Sequence, residues 1–281
     1  MQVSIIIPAY NEESQIGKTV TEICQLFPNY ELIVVDDGSE DATAVRAENA
    51  GAKVISHPYN KGNGASVRTG VRAASGDIVL MMDGDGQHNP ADIPRLLEHF
   101  PTYDMVVGAR GMESQANLHR SIANWAYNKL ASYMTSFPIQ DLTSGFRAFK
   151  RPLIMRYLHL FPNGFSYPTT STMAMLRGGH DLKYTPIQAA ERIGKSKIKL
   201  FQDGFRFFLI ILKLVTLFSP MRIFLPVSLG FGILGVVYST YTLYHGYFTN
   251  MAAMLLIVSI LIFLMGLVAE QLAAIHTKES R

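Results

Sequence analysis

Residues 76–90 read GDIVLMMDGDGQHNP, and this stretch decides how the rest of the chain is understood. Residues 77–82 are predicted as a strand, an apolar run short enough to be buried on both faces. The run empties into Asp83 and Asp85 with a single glycine between them, and Gln87 and His88 follow at once. A buried strand that delivers two carboxylates to one point belongs to a sheet whose strand ends do chemistry.

The same alternation recurs on either side. Residues 3–7, 31–35, 52–56 and 105–108 are short apolar runs bounded by turn residues. Helical patterns at 13–27, 39–51, 64–74 and 90–100 separate them. This is the signature of an α/β fold with a mostly parallel, Rossmann-like sheet and helices on both faces. Ligands collect at the carboxyl ends of such strands, so the informative residues are Pro8-Ala9-Tyr10, Asp36-Asp37-Gly38, 57–64 and 83–87. Helix returns from 117 to 135. Then DLTSGFRAFKRPLI, residues 141–154, supplies a turn, a short strand and another helix, and 181–186 a late strand. A first domain is expected over 1–200.

Composition changes sharply after that point. From Lys183 to Arg222 there are eight Lys or Arg residues against two acids, Glu191 and Asp203, and Ile223 to Ala269 has no charged residue. Residues 201–221 are apolar but short and carry Arg206 and Lys213, which fits an amphipathic helix lying in a membrane interface. Residues 222–276 are expected to form a transmembrane hairpin with spans near 223–247 and 251–270, the aromatic residues around 238–248 forming an interfacial belt. The link HGYFTN has no Lys or Arg, whereas both flanks do, so the positive-inside rule puts both ends and the first domain in the cytoplasm, at a multi-pass inner membrane location. A two-span hairpin also admits a homo-oligomer. The alternative, a core hairpin of a soluble protein, is disfavoured because neither helix has a polar face. Net charge is only +3, which gives no field for nucleic acid. The lone Cys24 excludes an intramolecular disulfide and sits on an apolar helical face, where it reads as core rather than as a reactive thiol. The N-terminus has no basic n-region and too short an apolar run for a signal peptide.

Asp83 and Asp85 would repel one another unless something positive lay between them. Hard divalent cations prefer oxygen ligands and commonly share them with substrate phosphates, so Asp83, Asp85 and Gln87 are candidate ligands of Mg²⁺ or Mn²⁺. The alternative is a solvated turn in which Asp85-Gly86 caps the next helix. An EF-hand is not supported, because Pro94 stands where the closing Glu is required. Asp37 follows the second strand, where a carboxylate can accept from a base or ribose. NKGNGASVRTG is a glycine-rich turn opening a helix, a plausible phosphate neighbour or a structural turn. It is neither a P-loop nor a dinucleotide fingerprint.

Taken in order, IPAYNEE, VVDDGSED, NKGNGAS, DGDGQHNP, VVGAR, DLTSGFRAF and ERIGKSKI resemble the inverting GT-A glycosyltransferases of family 2. Within them the chain is similar to the branch acting on polyprenyl phosphates, the dolichyl-phosphate mannose synthases and bactoprenyl glucosyltransferases. The resemblance covers about residues 3–200, and the hairpin fits the bactoprenyl type. It implies that Asp83, Asp85 and Gln87 hold a metal and the nucleotide diphosphate, and that Pro8, Ala9, Tyr10, Glu12 and Asp37 line the nucleoside pocket. It implies that Arg110 and Arg120 grip the lipid phosphate, with Asn124 where relatives often carry serine. It also matches Arg192, Ser196 and Lys197 to a mobile segment closing over the donor phosphates, while Lys195 and Lys199 are left as flanking cations for anionic headgroups.

The expected reaction is transfer of one sugar from a UDP- or GDP-hexose to an undecaprenyl or dolichyl phosphate at the cytoplasmic membrane face, inverting and metal-dependent. A phosphate monoester is already ionised at neutral pH, so a general base is optional. Asp141 is the candidate base, and structural anchoring of its loop is the stronger alternative. His88 is set aside as a ligand because such ions prefer oxygens. Trp125, on the acceptor-side helix, is read as packing, with the lipid tail as one candidate partner. A processive polysaccharide synthase of the same fold would carry a Q-x-x-R-W element, absent here, where the one tryptophan is Trp125. A non-catalytic membrane scaffold and a nucleotidyltransferase are the remaining alternatives, and release of pyrophosphate would mark the latter.

Overall fold

The run VSIIIPA forms β1 (Val3–Ala9), buried along its whole length. Ile5, Ile6 and Ile7 are each 0% exposed, so both faces of this strand are covered. The structure, a computed structural model, describes residues 1–100, 102–110, 118–164, 166–187, 209, 212–213, 216 and 219–279, with side chains except at 118–124, 126 and 276–279. It divides into two units, Met1–Phe208 and Leu209–Arg281.

In the first unit β1 is joined by β2 (Glu31–Asp36), β3 (Lys53–Ser56), β4 (Ile78–Met81), β5 (Met105–Arg110), β6 (Arg147–Lys150) and β7 (Leu182–Ile187). The strand order is β3-β2-β1-β4-β6-β5-β7. β1 runs parallel to β2 and β4, β2 to β3, and β5 to β7, whereas β6 is antiparallel to both its neighbours. The expected mostly parallel sheet is therefore present. The reversal at β6 has a positional consequence. Met81 pairs with Arg147, so the loop that precedes β6 lies at the same sheet edge as the residues that follow β4.

Helices cover both faces. Val3, Ile5 and Ile7 cluster with Ile16, Val20 and Ile23 of α1 (Ile16–Leu26), Ala47 of α2 (Thr43–Asn49) and Ile93 and Leu96 of α4 (Ile93–Leu97). On the other face lies α3 (Asn63–Ala73), where a Cβ at Gly70 would run into Ile6 and crowd Val35. Cys24 packs, partly buried, against the first cluster, and burial raises its thiol pKa. The unit is completed by α5 (Leu118–Thr135), α6 (Arg151–Tyr157) and α7 (Tyr167–Arg177). The sequence pattern had not shown α7. Its residues Tyr167–Met175 are all buried, hydroxyls included, so it has no polar face and no amphipathic period to read.

Two helix starts also differ from expectation. α1 begins at 16 rather than 13 and α2 at 43 rather than 39, because the intervening residues bind each other. Asn11, at φ +54°, donates its N–H to Ser39 Oγ at 2.9 Å, and its side-chain oxygen accepts from Glu40 N at 3.0 Å. Glu12 N donates to Thr43 Oγ1 at 2.9 Å. The turns after β1 and β2 are thus interlocked.

The second unit contains α8 (Met221–Tyr244) and α9 (Asn250–Glu279). Small residues let the two helices meet. Ser228 and Ser259 each donate a hydroxyl to the other's carbonyl at 2.9 Å, and Gly235 and Gly266 leave room for Leu256 and Phe224. Met221 N donates to Glu270 Oε2 at 3.2 Å, so the acid in α9 satisfies one of the free N–H groups at the start of α8. Both helices are long and apolar enough to cross a membrane, and only 17% and 11% of their most apolar stretches are buried. Core helices would be covered. The predicted interfacial helix at 201–221 lies outside the described residues apart from 209, 212–213, 216 and 219–221.

Candidate functional site

β1 lies between β2 and β4, so the chain order reverses there and a crevice opens at the carboxyl ends of β1 and β4. Asp83 to His88 leave β4 at this crevice. Gly84 fits tightly against Ile7 and Ile16, and Gly86 takes φ +75°. Asp85 is buried and accepts the Gln87 N–H at 3.2 Å, which folds the turn back on itself. Asp83 Oδ2 lies 3.4 Å from His88 Nε2. The His88 ring is buried and stacks on Phe146 at 5.2 Å between centroids. A Cβ at Gly145 would collide with the Asp83 carboxylate, so the loop before β6 must carry glycine for that carboxylate to sit where it does. Among the described residues no three His, Cys, Asp or Glu side chains form a metal cluster. The donor set that is present, two carboxylates and an amide oxygen, suits a hard ion that completes its shell with substrate phosphates.

Arg110 ends β5 at the same edge. Its Nε and Nη2 donate to Asp141 Oδ2 and Oδ1 at 2.8 and 3.0 Å, and Nη2 also reaches Thr143 Oγ1 at 2.7 Å. This is a bidentate guanidinium–carboxylate pair. Its Nη1 has no hydrogen-bond partner among the described residues. Asp141 is buried and also accepts from the backbone N–H groups of Arg110, Thr143 and Ser144. Burial works to raise its carboxyl pKa, but the Arg110 charge and these donors outweigh it and hold the group below the ordinary range. Burial likewise works against the Arg110 charge, and Asp141, then Asp83 and Asp85, reverse the effect and raise its pKa. The three carboxylates and Arg110 thus share one electrostatic environment. A carboxylate so stabilised is a poor proton acceptor, and Asp141 has the geometry of an anchor.

Asp37 has a heavily engaged carboxylate. It accepts from Lys61 N at 3.0 Å and Gly62 N at 2.7 Å and lies 2.7 Å from His57 Nδ1, whose Nε2 is 2.9 Å from Thr69 Oγ1. The expected phosphate neighbour, the glycine-rich turn, is also occupied from within. Gly64 N donates to the carbonyls of Asn163 and Gly164 at 2.9 and 3.1 Å, and Arg68 binds Phe161 O and Asn163 Oδ1. Gly62 has φ +100°, and a Cβ at either glycine would strike the backbone of residues 162–164. The glycines permit a close backbone approach, and the α3 N-terminus is capped by this chain's own carbonyls rather than open to an anion.

Two residues have roles that the sequence reading did not give them. His88, set aside there as a metal ligand, braces Asp83. Arg147 is fully buried and donates to Ser144 O, to Pro168 O at 2.7 Å, and to the hydroxyls of Ser171 and Thr172 at 2.8 and 3.1 Å. It ties the Ser144–Gly145 turn to α7, and Tyr167 of α7 donates to Gly145 O at 3.2 Å. Arg147 lies within the quoted SGFRAF element, where a buried guanidinium with neutral acceptors gives no periodic signal. Of the remaining candidates, Pro8 and Ala9 end β1 and Tyr10 follows it, half-buried. Arg120 and Asn124 lie on α5 with side chains outside the described residues, as do Arg192, Ser196 and Lys197 entirely. Trp125 is 65% exposed.

Comparison with known proteins agrees with this architecture. Residues 4–158 match the Glycosyl transferase family 2 profile and 219–275 the GtrB C-terminal hairpin. The chain is 29% identical over 214 residues to the undecaprenyl-phosphate mannosyltransferase of Micrococcus luteus, covering 70% of this chain and 88% of that protein. It is 30% identical over 205 residues to the dolichyl-phosphate hexose transferase of Haloferax volcanii, covering 72% and 88%. Among solved structures, glucosyl-3-phosphoglycerate synthase from Mycobacterium tuberculosis, in complex with Mn²⁺, UDP and phosphoglyceric acid, superposes with a TM-score of 0.64 at 22% identity over 76% of this chain and 78% of that one. That likeness concerns the fold.

Proposed function

Because this chain belongs to glycosyl transferase family 2, we propose that it moves a sugar from a nucleotide-sugar donor to the phosphate of a polyprenyl carrier. The observation that carries the reading is Arg110. Its Nε and Nη2 are locked to Asp141, and the guanidinium feels the charges of Asp83 and Asp85, so a fixed cation stands near the two carboxylates, which is what positioning an anionic acceptor against an anionic donor requires. The GtrB-type hairpin and relatives named for undecaprenyl and dolichyl phosphates support a lipid-borne acceptor. Basic residues on both flanks of the hairpin support a cytoplasmic site.

The acceptor phosphate oxygen forms a bond to the anomeric carbon while the bond from that carbon to the donor diphosphate breaks, and the electron pair leaves with the nucleoside diphosphate. One displacement inverts the centre. The acceptor is ionised without help, so no proton has to move, and Asp141 serves by holding Arg110. Asp83, Asp85 and Gln87 would hold Mg²⁺ or Mn²⁺, which when bound would neutralise charge developing on the departing diphosphate. His88 and Gly145 keep the Asp83 carboxylate in place for that duty. Arg192, Ser196 and Lys197 would close on the same phosphates.

Membranes carrying the full chain, incubated with a panel of labelled nucleotide sugars, should yield label in the lipid extract with one donor. Asp85→Ala should abolish that label while the protein stays folded and in the membrane. Full transfer by that variant overturns the assignment of Asp85.

A further inference from the structure

Arg147 carries a buried charge that the transfer reaction does not use. Its guanidinium is 0% exposed, and among the described residues its hydrogen-bond partners are carbonyls and hydroxyls, with no carboxylate. A charge buried against neutral acceptors is costly, so the bonds it makes are informative. Nε and Nη2 both donate to Ser144 O, while Nη1 reaches Pro168 O and the hydroxyls of Ser171 and Thr172 in the first turns of α7. A planar fork can grip a carbonyl with one edge and several acceptors with the other, which an ammonium cannot. Tyr167, at the start of the same helix, is buried and donates its hydroxyl to Gly145 O at 3.2 Å. Both carbonyls of the Ser144–Gly145 turn are therefore fastened to α7.

Asp83 rests on that turn. A Cβ at Gly145 would collide with the Asp83 carboxylate, so the backbone of the turn lies directly against it. Asp85 is buried and closes its own turn through the Gln87 N–H, whereas the Asp83 side chain is 31% exposed. A partly exposed carboxylate has several rotamers open to it, and a fixed wall removes some of them. The charges agree with the geometry. Burial works to lower the Arg147 pKa, and Tyr167, Tyr184, Asp141 and Asp83 oppose it. Burial raises the Tyr167 pKa, and Asp83 adds to the rise. Both α7-linked groups are thus within electrostatic reach of Asp83.

We propose that Arg147 and Tyr167 are positioning residues for Asp83: acting through the Ser144–Gly145 turn, they hold its carboxylate where a divalent ion can be shared with the donor diphosphate. The proposal rests on the reading of Asp83 as a metal ligand, and it extends that reading to α7, a helix that contributes no candidate ligand.

Mn²⁺ binding tests it without turnover. The purified full chain is titrated with Mn²⁺ in the presence of UDP or, separately, GDP, and paramagnetic resonance reads the free ion from its sharp signal and the bound ion from its broad one. Groups that orient a ligand govern metal affinity, so Tyr167→Phe, which removes one hydroxyl, should weaken Mn²⁺ binding by about tenfold and alter the spectrum of the bound ion. Arg147→Lys keeps the charge but gives up the fork, and should weaken binding at least as much. Met175→Val, about two turns further along α7, disturbs the helix without removing a bond to the turn, and should bind Mn²⁺ as the wild type does. Thermal unfolding shows which variants fold, and Tyr167→Phe decides the matter if Arg147→Lys does not. Wild-type affinity and an unchanged spectrum in Tyr167→Phe overturn the proposal and leave Asp83 as a ligand. Equal weakening by Met175→Val also overturns it, since general loosening of α7 would then suffice. A wild type that binds no Mn²⁺ with either nucleotide removes the ligand assignment itself, and the proposal with it.

Discussion

Arg110 and Asp141 form one bidentate pair, to which the proposed function gives a chemical duty beside the structural one. Replacing Arg110 by Lys keeps the charge but gives up the fork that engages Asp141 and the spare Nη1 donors. Transfer should fall by about a hundredfold in kcat/KM for the lipid phosphate, with KM for the nucleotide sugar unchanged, as steady-state kinetics would reveal. Asp141→Asn leaves Arg110 without its counter-charge and should cost about 3 kcal/mol of stability. The pH dependence follows from the lowered carboxyl pKa. An unfolded aspartate titrates near pH ~3.9, so the stabilisation is complete above that value and is lost as pH falls through the lower folded pKa. Thermal unfolding of the wild type should therefore weaken below about pH 4, and Asp141→Asn should lack that component. Asp83 and Asp85 were legible from the sequence because a buried strand discharges straight into them. The Arg110–Asp141 pair was not, since the two are brought together by the antiparallel β6, and strand direction leaves no mark in a strand of four residues, RAFK.

At the scale of elements, local pattern gave the strands and most helices, and failed where a distant partner decides. The glycines at 62 and 64 looked like a turn made for phosphate, but the backbone that needs their missing Cβ atoms lies about a hundred residues further on, at 162–164. Gly64→Ala should lower stability by about 1–3 kcal/mol through overpacking against that backbone, measured by thermal unfolding. The folded fraction should bind donor nucleotide as the wild type does, since the α3 N-terminus is already capped. α7 was missed because burial on every side removes the polar face on which helix recognition depends. In the hairpin the reverse holds, and unbroken apolarity was itself the signal. The Ser228–Ser259 pair joins the two helices through polar side chains. Ser228→Ala together with Ser259→Ala should loosen the hairpin by about 1 kcal/mol, read from its unfolding in detergent.

For the whole molecule, a family 2 glycosyltransferase unit and an apolar hairpin in one chain imply a reaction between a water-soluble donor and a membrane-borne acceptor. Which sugar is moved is a matter of pocket shape, and the loops that complete the pocket leave no pattern in the sequence. The central claim is that donor phosphates held at Asp83 and Asp85 and an acceptor phosphate held by Arg110 meet at one sheet edge. Its most direct test is label transfer by the purified full chain in vesicles containing polyprenyl phosphate, with and without excess chelator. Label should enter the organic phase only when a divalent ion is free, with one nucleoside diphosphate released per sugar transferred. Undiminished transfer in chelator, or label that never leaves the aqueous phase with any donor, would contradict it.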